Sequence, residues 1–287
     1  MSEIVPQNSI DPVFRDPPLA PHYGLAQARW MSRKHPKHFP TPERALHWLK
    51  RVQMPKSLRW AFIQNCKAGS TSVKSFLFEC EFNSKLTARS TSPNESERHE
   101  IAHELPMAAL TRRLNEIPKP FVAISSALRL GICRDPVARS VSSFFFLCRS
   151  QELSTKLLQT ERIRLNAISN FDFEKDMYTT KGFEKFLDYL EHEIHFEGYE
   201  ALNPHLGRQV DNLKPEFSKI QLLGRVENIS EFYSSIAERL EIKLNDSFLT
   251  PHLNRTDRTK TETGLKTKDA KSRISKIFDA DFETFNY

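Results

Sequence analysis

The feature that most constrains the fold of this chain is a short apolar run that passes into a turn of small residues and then into an amphipathic helix. Residues 60–64 form the apolar run, residues 67–72 form the turn, and apolar side chains recur at helical spacing over residues 73–80. A short apolar run followed by a helical period predicts a strand, a loop and a helix. We call residues 67–72 the first loop.

The same order of elements recurs later in the chain. Residues 128–133 predict a second strand, and residues 220–223 predict a third strand that ends before Gly224. Asp135 and Pro136 follow the second strand and predict the start of a helix, because Asp caps helices and Pro suits their first turn. Strands that alternate with helices predict an α/β fold with a central parallel sheet flanked by helices.

Two other segments carry weaker signals. Residues 1–40 contain seven prolines and a basic run, which predict an irregular, extended segment. Residues 105–114 are predicted to form a helix that ends before the next prolines. We therefore expect residues 1–56 to form an irregular N-terminal arm and residues 57–287 to form a single domain.

Charge and composition narrow the class of partner. The 287 residues include 42 Lys and Arg against 36 Asp and Glu, which gives a net charge of +6. A positive excess suits anionic partners such as nucleotides, nucleic acid or sulfated groups. The four cysteines lack metal-binding spacing, no apolar run reaches the roughly 18 residues that span a bilayer, and the N-terminus has no secretory signal pattern. These features predict a cytoplasmic protein with free thiols.

The first loop offers the groups that bind an anion. Backbone N–H groups and the N-terminus of the predicted helix converge there. Ser70, Thr71 and Ser72 add hydroxyl groups. Lys67 adds a mobile ammonium, and Gly69 permits a close approach of the backbone. The loop differs from the nucleoside-triphosphate motif, in which lysine directly follows a glycine, and an ordinary turn between strand and helix remains the alternative.

A second loop, residues 134–142, combines an arginine with a serine two helical turns away. Arg134 follows the second strand, and Ser142 lies eight residues later in the predicted helix. A guanidinium group can bind a phosphate through two hydrogen bonds while a hydroxyl donates from the side. The alternative is a surface arginine beside a helix cap.

Taken together and in this order, the two loops resemble the cofactor signatures of sulfotransferases that use 3′-phosphoadenosine-5′-phosphosulfate (PAPS). The first is Lys-x-Gly-Ser-Thr at residues 67–71, and the second is Arg-Asp-Pro-x-x-Arg-x-x-Ser at residues 134–142. The likeness is greatest to the branch that contains carbohydrate sulfotransferases, and it runs from about residue 57 to the C-terminus. The sequence departs from the family at Cys66, where many members have proline. Three later segments agree with the likeness: residues 205–209, 223–228 and 281–287.

The resemblance implies a sulfotransferase fold related to that of P-loop nucleotide-binding proteins, and it gives both loops a role. Lys67 would contact the oxygen that bridges phosphate and sulfate in PAPS, and the residues after it would hold the 5′-phosphate. Arg134 and Ser142 would bind the 3′-phosphate of PAPS and of its product, adenosine 3′,5′-bisphosphate (PAP). Arg139 also matches a family position, with a role that is either functional or structural. The residues expected to bind the cofactor are Lys67, Ala68, Gly69, Ser70, Thr71, Ser72, Arg134 and Ser142.

Transfer to an alcohol also requires a base, which carbohydrate sulfotransferases commonly take as a histidine from the segment between the loops. The resemblance favours His103 as this catalytic residue, together with Lys67, and leaves His99 as the second choice. A neutral imidazole suits proton removal at neutral pH. Glu100 and Glu104 are alternative bases. Three further residues are expected to line the cleft: His205, Arg208 and Gln209.

The resemblance implies a PAPS-dependent sulfotransferase that acts on a hydroxyl group of a glycan or glycolipid. We expect no metal, since lysine and arginine can neutralise the anions, and neither a nucleic-acid partner nor a membrane-spanning segment. Three alternatives stay open. A nucleotide-dependent phosphotransferase would need the missing Gly-Lys-Ser/Thr loop. A nucleic-acid-binding module would need exposed basic and aromatic stripes, and a non-catalytic relative would bind the nucleotide alone.

Overall fold

The computed structural model describes residues 12–88, 100–243 and 263–287 of the chain. In these ranges the helices are α1 (Pro21–Lys34), α2 (Pro42–Leu49), α3 (Ser70–Phe82), α4 (Pro120–Ser126), α5 (Pro136–Glu152), α6 (Gln159–Ser169), α7 (Thr180–Glu197), α8 (Gln209–Leu213), α9 (Pro215–Ser218), α10 (Ile229–Arg239), α11 (Lys268–Ile277) and α12 (Asp279–Phe285). The strands are β1 (Val52–Pro55), β2 (Trp60–Ile63), β3 (Thr111–Arg113), β4 (Leu128–Cys133) and β5 (Leu222–Arg225).

The strands of the described ranges form one sheet in the order β3-β1-β2-β4-β5. β2, β4 and β5 are parallel neighbours, whereas β1 is antiparallel to both β2 and β3. The predicted α/β class is confirmed, and the three strands predicted from the sequence are the parallel ones. The sheet as a whole is mixed because β1 runs in the opposite direction.

Helices cover both faces of the sheet. Trp60 and Phe62 of β2 pack in one hydrophobic cluster with residues of α3 and α10. Ala61 and Ile63, which alternate with them along the strand, pack in a second cluster with residues of α1, α2 and α4. Since successive side chains of a strand point to opposite faces, the two clusters are the two sides of a helix–sheet–helix arrangement.

The N-terminal segment is more regular than its prolines suggest. The expectation of an irregular arm is wrong for residues 21–55, which form α1, α2 and β1. Pro21 and Pro42 stand in the first turns of α1 and α2, where a missing N–H leaves no helical hydrogen bond unmade. Thr41 caps α2 by accepting a hydrogen bond from a backbone N–H at 3.4 Å. β1 lies between β3 and β2, so residues on both sides of position 57 share one sheet.

Two predicted elements have different bounds or a different type. The helix predicted over residues 105–114 is wrong, because its last residues form β3 and pair with β1. This long-range pairing overrides the local preference of the segment. The third strand is confirmed, but it includes Gly224 instead of ending before it. A glycine is required there because an added Cβ would collide with the ring of Phe232 on α10.

The adjacent parallel strands β2 and β4 fix the place of the two loops. Their parallel register brings their carboxyl ends to the same edge of the sheet. The first loop follows β2, and the second loop follows β4. Ligands of open α/β sheets bind at this edge, so both sequence motifs lie where the fold favours a ligand.

Candidate active site

The first loop is turned by two residues in the left-handed conformation. Lys67 has a φ of 63° and Gly69 a φ of 68°, and Ala68 between them is fully buried. Gly69 is the N-cap of α3, and neither a capping side chain nor an acidic residue of the first turn occupies this end of the 13-residue helix. Its first N–H groups and partial positive charge therefore keep their capacity to bind an anion.

The Lys67 side chain lies over an aromatic ring of α5. Its Nζ is 3.9 Å from the centroid of the Phe146 ring. Burial, followed by the positive charge of Arg134, lowers the pKa of Lys67 to about 8, and Arg139 and Arg149 act in the same direction. An anionic ligand beside the ammonium would relieve this repulsion and favour the charged lysine.

The hydroxyl groups of the first loop have different surroundings. The Ser70 hydroxyl donates a hydrogen bond to the backbone carbonyl of Asn65. The Thr71 hydroxyl lies 3.2 Å from His103 Nε2, and Ser72 is half-buried. Ser70 therefore stabilises the loop itself, whereas Thr71 connects the loop to the candidate base.

The helix that follows the second loop, α5, has a capped N-terminus, unlike α3. The Asp135 carboxylate caps α5 by accepting a hydrogen bond from Ala138 N at 2.7 Å, which confirms the predicted cap. Because this carboxylate occupies the helix end, side chains must supply any anion contact at the second loop. Arg134 and Ser142 are both half-buried, and Arg134 Nη1 lies 3.5 Å from the backbone carbonyl of Lys67. The two loops therefore meet.

A buried glutamine fixes the spacing of the two loops. Gln209 Oε1 accepts hydrogen bonds from Asn65 Nδ2 at 2.9 Å and from Arg134 N at 3.0 Å. Gln209 Nε2 donates to the Arg134 carbonyl at 2.8 Å. Since Gln209 is 0% exposed, the expectation that it lines the cleft is wrong. It holds the end of β2 and the end of β4 together from inside the protein.

Arg139 is buried beneath the loops and is 1% exposed. Its guanidinium group donates to three backbone carbonyls, those of Cys66 at 3.0 Å, Gly207 at 2.7 Å and Pro204 at 3.1 Å. These bonds join the start of the first loop to residues 204–207. Of the two roles that the sequence leaves open for this arginine, the geometry supports the structural one.

The C-terminal segment supports the same loops. The fully buried Asp281 carboxylate accepts hydrogen bonds from the backbone N–H of Gln209 and of the following residue, both at 2.9 Å. Glu227 accepts hydrogen bonds from Asp135 N and from the Tyr287 hydroxyl, both at 2.9 Å. The later segments that resemble the family thus contain residues that position the loops.

His103 lies at the end of a short 3₁₀ turn (Glu100–His103) beside α3. Its Nδ1 is 2.9 Å from the Nζ of Lys74, in addition to the contact of Nε2 with Thr71. Burial, followed by the charge of Lys74, lowers the pKa of His103 to about 3. The imidazole is therefore neutral at neutral pH, as proton removal requires.

The other residues proposed as a base or as part of the cleft differ in how close they lie to the two loops. His99 and the side chain of Glu100 lie outside the described residues, and Glu104 is exposed. His205 stacks on the same α5 ring that Lys67 covers, with 5.0 Å between the ring centroids. Arg208 forms an ion pair with the next aspartate of α8 at 2.7 Å. His205 is therefore the one of the three expected cleft residues that the structure brings to the Lys67 side chain.

Cys66, where the sequence departs from the family, lies among basic side chains. It is 5% exposed, and its Sγ accepts a hydrogen bond from Arg51 Nη2 at 2.8 Å. Burial alone would raise the pKa of Cys66, but His205, Arg51 and Arg139 outweigh burial and lower it to about 6. The thiol is therefore ionised at neutral pH and offsets part of the positive charge around the first loop.

We expect this thiolate to make the fold more stable as the pH rises from about 6 to about 9. The ordinary pKa of the thiol is 9.0, so over this range the unfolded chain binds a proton that the folded protein lacks. The free energy of unfolding then rises with pH, by at most about 1.4 kcal/mol per pH unit, and this stabilisation is lost as the pH falls through the folded pKa. Denaturant unfolding at a series of pH values measures the slope.

The variant Cys66→Ser should have the smaller slope. Cys80→Ser is the matched control, because burial raises the pKa of Cys80 to about 12 and its thiol stays neutral over the same range. Equal slopes in the wild type and in Cys66→Ser would show that the Cys66 thiol is protonated and would contradict the prediction.

The family model described as the sulfotransferase family matches residues 52–287. The chain belongs to the sulfotransferase family. The match begins in β1 and contains both loops, so it confirms the family that the two motifs resemble and indicates sulfuryl transfer as the chemistry. No curated protein and no solved structure gives a significant match to the chain.

Within the described ranges of this sulfotransferase, no helix is both long and apolar enough to cross a bilayer.

Several residues of the site were not predicted from the sequence. One sequence feature could have drawn attention to Lys74. It is a charged residue beside the apolar positions of helix α3, on a face that is expected to be buried. Asn65 and Phe146 lie next to or within the two motifs, but no local pattern distinguishes them. Their roles depend on contacts between distant parts of the chain.

Proposed function

We propose that this protein transfers the sulfuryl group of PAPS to a hydroxyl group of a carbohydrate or glycolipid. The observation that carries the proposal is the meeting of two cationic loops at the carboxyl ends of adjacent parallel strands. Arg134 Nη1 lies 3.5 Å from the Lys67 carbonyl, and Gln209 binds both sides of this contact. One ligand with two separated anionic ends suits such a pair of loops.

The two loops differ in a way that suits the two ends of PAPS. The N-terminus of α3 has no capping side chain, so its backbone N–H groups and Lys67 fit the phosphosulfate end. The N-terminus of α5 is capped by Asp135, so the side chains of Arg134 and Ser142 would bind the 3′-phosphate instead. Bound PAPS supplies the activated sulfuryl group.

Lys67 has the charge and position to assist this transfer. In sulfuryl transfer the oxygen that leaves with the phosphate gains negative charge, as in phosphoryl transfer. An ammonium group at that oxygen stabilises the transition state more than the ground state and therefore raises the rate. The depressed pKa of Lys67 reflects burial and neighbouring cations, and an anion in the site favours its protonated form.

The acceptor side of the site contains the neutral His103. Its Nε2 lies 3.2 Å from the Thr71 hydroxyl, so a base and the first loop are adjacent. A hydroxyl group held beside Nε2 can lose its proton to the ring as its oxygen attacks sulfur. The choice of a carbohydrate or glycolipid acceptor follows the branch of the family that the two motifs resemble.

We expect PAP to stabilise the protein against thermal unfolding. At about 100 times its dissociation constant, a ligand that binds only the folded state adds roughly 2.7 kcal/mol to the free energy of unfolding. The shift in melting temperature should vanish in Arg134→Ala, which loses the side chain assigned to the 3′-phosphate, and should weaken in Lys67→Ala. Differential scanning calorimetry with and without PAP measures both effects.

Arg129→Ala is the matched control for this experiment. Arg129 lies on β4, the strand that leads to Arg134, but at its opposite end, so the PAP shift should persist in this variant. A larger shift with ATP than with PAP would favour a phosphotransferase, and no shift with either would contradict the proposed function. Transfer of radiolabelled sulfate to a panel of glycans then separates an active enzyme from a protein that only binds the nucleotide.

A further inference from the structure

Buried Lys74 contacts the half-buried His103, and the position of the hydrogen atom between them determines which ring nitrogen can act as a base. Lys74 is on α3, one helical turn after Ser70, and is 3% exposed. Its Nζ is 2.9 Å from His103 Nδ1, while His103 Nε2 is 3.2 Å from the Thr71 hydroxyl. Among the ion pairs of the described residues, none joins Lys74 to a carboxylate. Burial of an ammonium group is costly and favours the neutral amine.

The contact between Lys74 Nζ and His103 Nδ1 holds one hydrogen atom, in either of two arrangements. A charged lysine donates to Nδ1, the ring proton is then on Nε2, and Nε2 has no lone pair for a substrate. A neutral lysine accepts from Nδ1–H, and the lone pair is then on Nε2, where the Thr71 hydroxyl donates to it. A neutral amine can also donate, but it is the state of the lysine that can accept from Nδ1–H, so loss of the lysine proton is what allows Nε2 to act as the base.

The charges that face this pair come from several elements. Burial, opposed by Cys66 and assisted by Arg113 and Arg51, lowers the pKa of Lys74 to about 7. On the other side of the pair, the pKa of His103 is lowered by burial, then by Lys74 and by the charges of two further site residues, Lys67 and His205. The lysine consequently binds a proton more strongly than the ring does.

We propose that Lys74 and His103 act as a proton relay, in which Nε2 takes the proton of the acceptor hydroxyl while Nδ1–H passes to Lys74 Nζ. This inference rests on the proposed function and deepens it. The acceptor oxygen forms its bond to sulfur, the bond between sulfur and the phosphate oxygen breaks, and that electron pair leaves with PAP. The hydroxyl proton is balanced by the proton gained at Lys74, so the ring is neutral before and after the transfer.

The relay accounts for two features of the site together. A lone imidazole that resists protonation as strongly as His103 would be a weak base, whereas the amine behind it supplies the missing basicity. The relay also gives a reason for burying a lysine at this position of α3, since burial keeps the amine neutral until it receives the proton. His103 is the catalytic residue of the pair, and Lys74 is a positioning residue that acts through it.

Nitrogen NMR of the full-length protein with ¹⁵N-labelled histidine tests the relay without donor or acceptor. Between about pH 5.5 and about pH 9.5 we expect the His103 ring to change from the Nε2–H to the Nδ1–H tautomer as Lys74 loses its proton, without an imidazolium state. The variant His103→Gln assigns the signals. A tautomer that stays the same over the whole range in the wild type would overturn the proposal.

Two lysine variants make the test specific. In Lys74→Met the tautomer change should be lost, and imidazolium should form at a higher pH because the neighbouring cation is gone. In Lys74→Arg the ring should stay in the Nε2–H tautomer over the whole of this pH range, since the guanidinium keeps its charge. If Lys74→Met does not fold, the arginine variant still tests the proposal. Lys181→Met, which removes an exposed lysine of α7, is the matched control and should behave as the wild type.

The pH dependence of the rate gives a second readout, on whichever glycan the acceptor panel identifies. Wild-type kcat should rise with an inflection near the pKa of Lys74, and Lys74→Arg should lose this rise while it retains the PAP thermal shift. Loss of the tautomer change with a normal PAP shift would refute the relay alone. A normal tautomer change without PAP binding would refute the proposed function while leaving the proton exchange of the pair intact.

Discussion

Replacing Lys67 with alanine is expected to slow sulfuryl transfer by about 10²–10³-fold, or roughly 2.7–4 kcal/mol of barrier, by analogy with the loss of an oxyanion donor. The reason is that, in the proposed function, the ammonium is the group of the first loop that would stabilise charge on the leaving oxygen. Its Nζ is held 3.9 Å above the Phe146 ring, so the side chain is already ordered. The rate of radiolabelled sulfate transfer under saturating PAPS measures the effect.

The affinity for PAP separates this effect from a loss of binding. If Lys67 acts mainly in the transition state, kcat should fall more than PAP affinity does. Lys67→Arg keeps the charge but changes its shape, and should retain more activity than the alanine variant. A kcat unchanged in Lys67→Ala at saturating donor would show that the ammonium has no part in the chemical step.

Replacing Arg139 with alanine is expected to lower the free energy of unfolding by at least about 3 kcal/mol. The guanidinium donates to three backbone carbonyls in a site that is 1% exposed. Each buried carbonyl left without a donor costs about 1–3 kcal/mol, and the deleted side chain also leaves a cavity. Since one of these carbonyls belongs to Cys66, the PAP shift should fall as well. Urea unfolding of the two proteins measures the difference.

Arg129→Ala is the matched control for this loss of stability. Arg129 also donates to three backbone carbonyls, those of Lys219 at 2.9 Å and of Ile124 and Ser125 at 3.2 Å. It is half-buried at the rim of the sheet, where water can replace the lost donors, so its deletion should cost much less. Equal losses in the two variants would contradict the prediction, because burial would then add nothing to the cost of losing three donors.

Local patterns are sufficient to predict the elements whose signals lie within a few residues of one another. The bounds of β4 and the start of α5 agree with the sequence because an apolar run, an N-cap and a first-turn proline all act within a few residues. The first loop is also predictable from local sequence. Gly69 is needed there because the chain takes the left-handed conformation just before α3. The order of the two motifs was also sufficient to indicate the family.

Which strands share the sheet depends on long-range pairing that no local pattern encodes. β1 and β3 are four and three residues long, and their stability comes from pairing with strands elsewhere in the chain. Residues 52–55 (Val-Gln-Met-Pro) contain no continuous apolar run, so no local pattern predicts β1, and the local pattern around β3 indicates a helix instead. Gly224 belongs to β5 for a similar reason, because the ring that excludes a Cβ comes from a helix packed on the strand.

The chemistry of the candidate site likewise depends on contacts between residues that are distant in the chain. Whether Lys74 is an exposed surface charge or a buried amine depends on the packing of α3 against the turn that carries His103, which lies 29 residues away. Likewise Gln209 joins two loops that are 144 and 75 residues distant in the chain. Local sequence encodes helix caps and the periodicity of apolar residues. The burial and the proton affinity of a side chain depend instead on which distant groups exclude water from it.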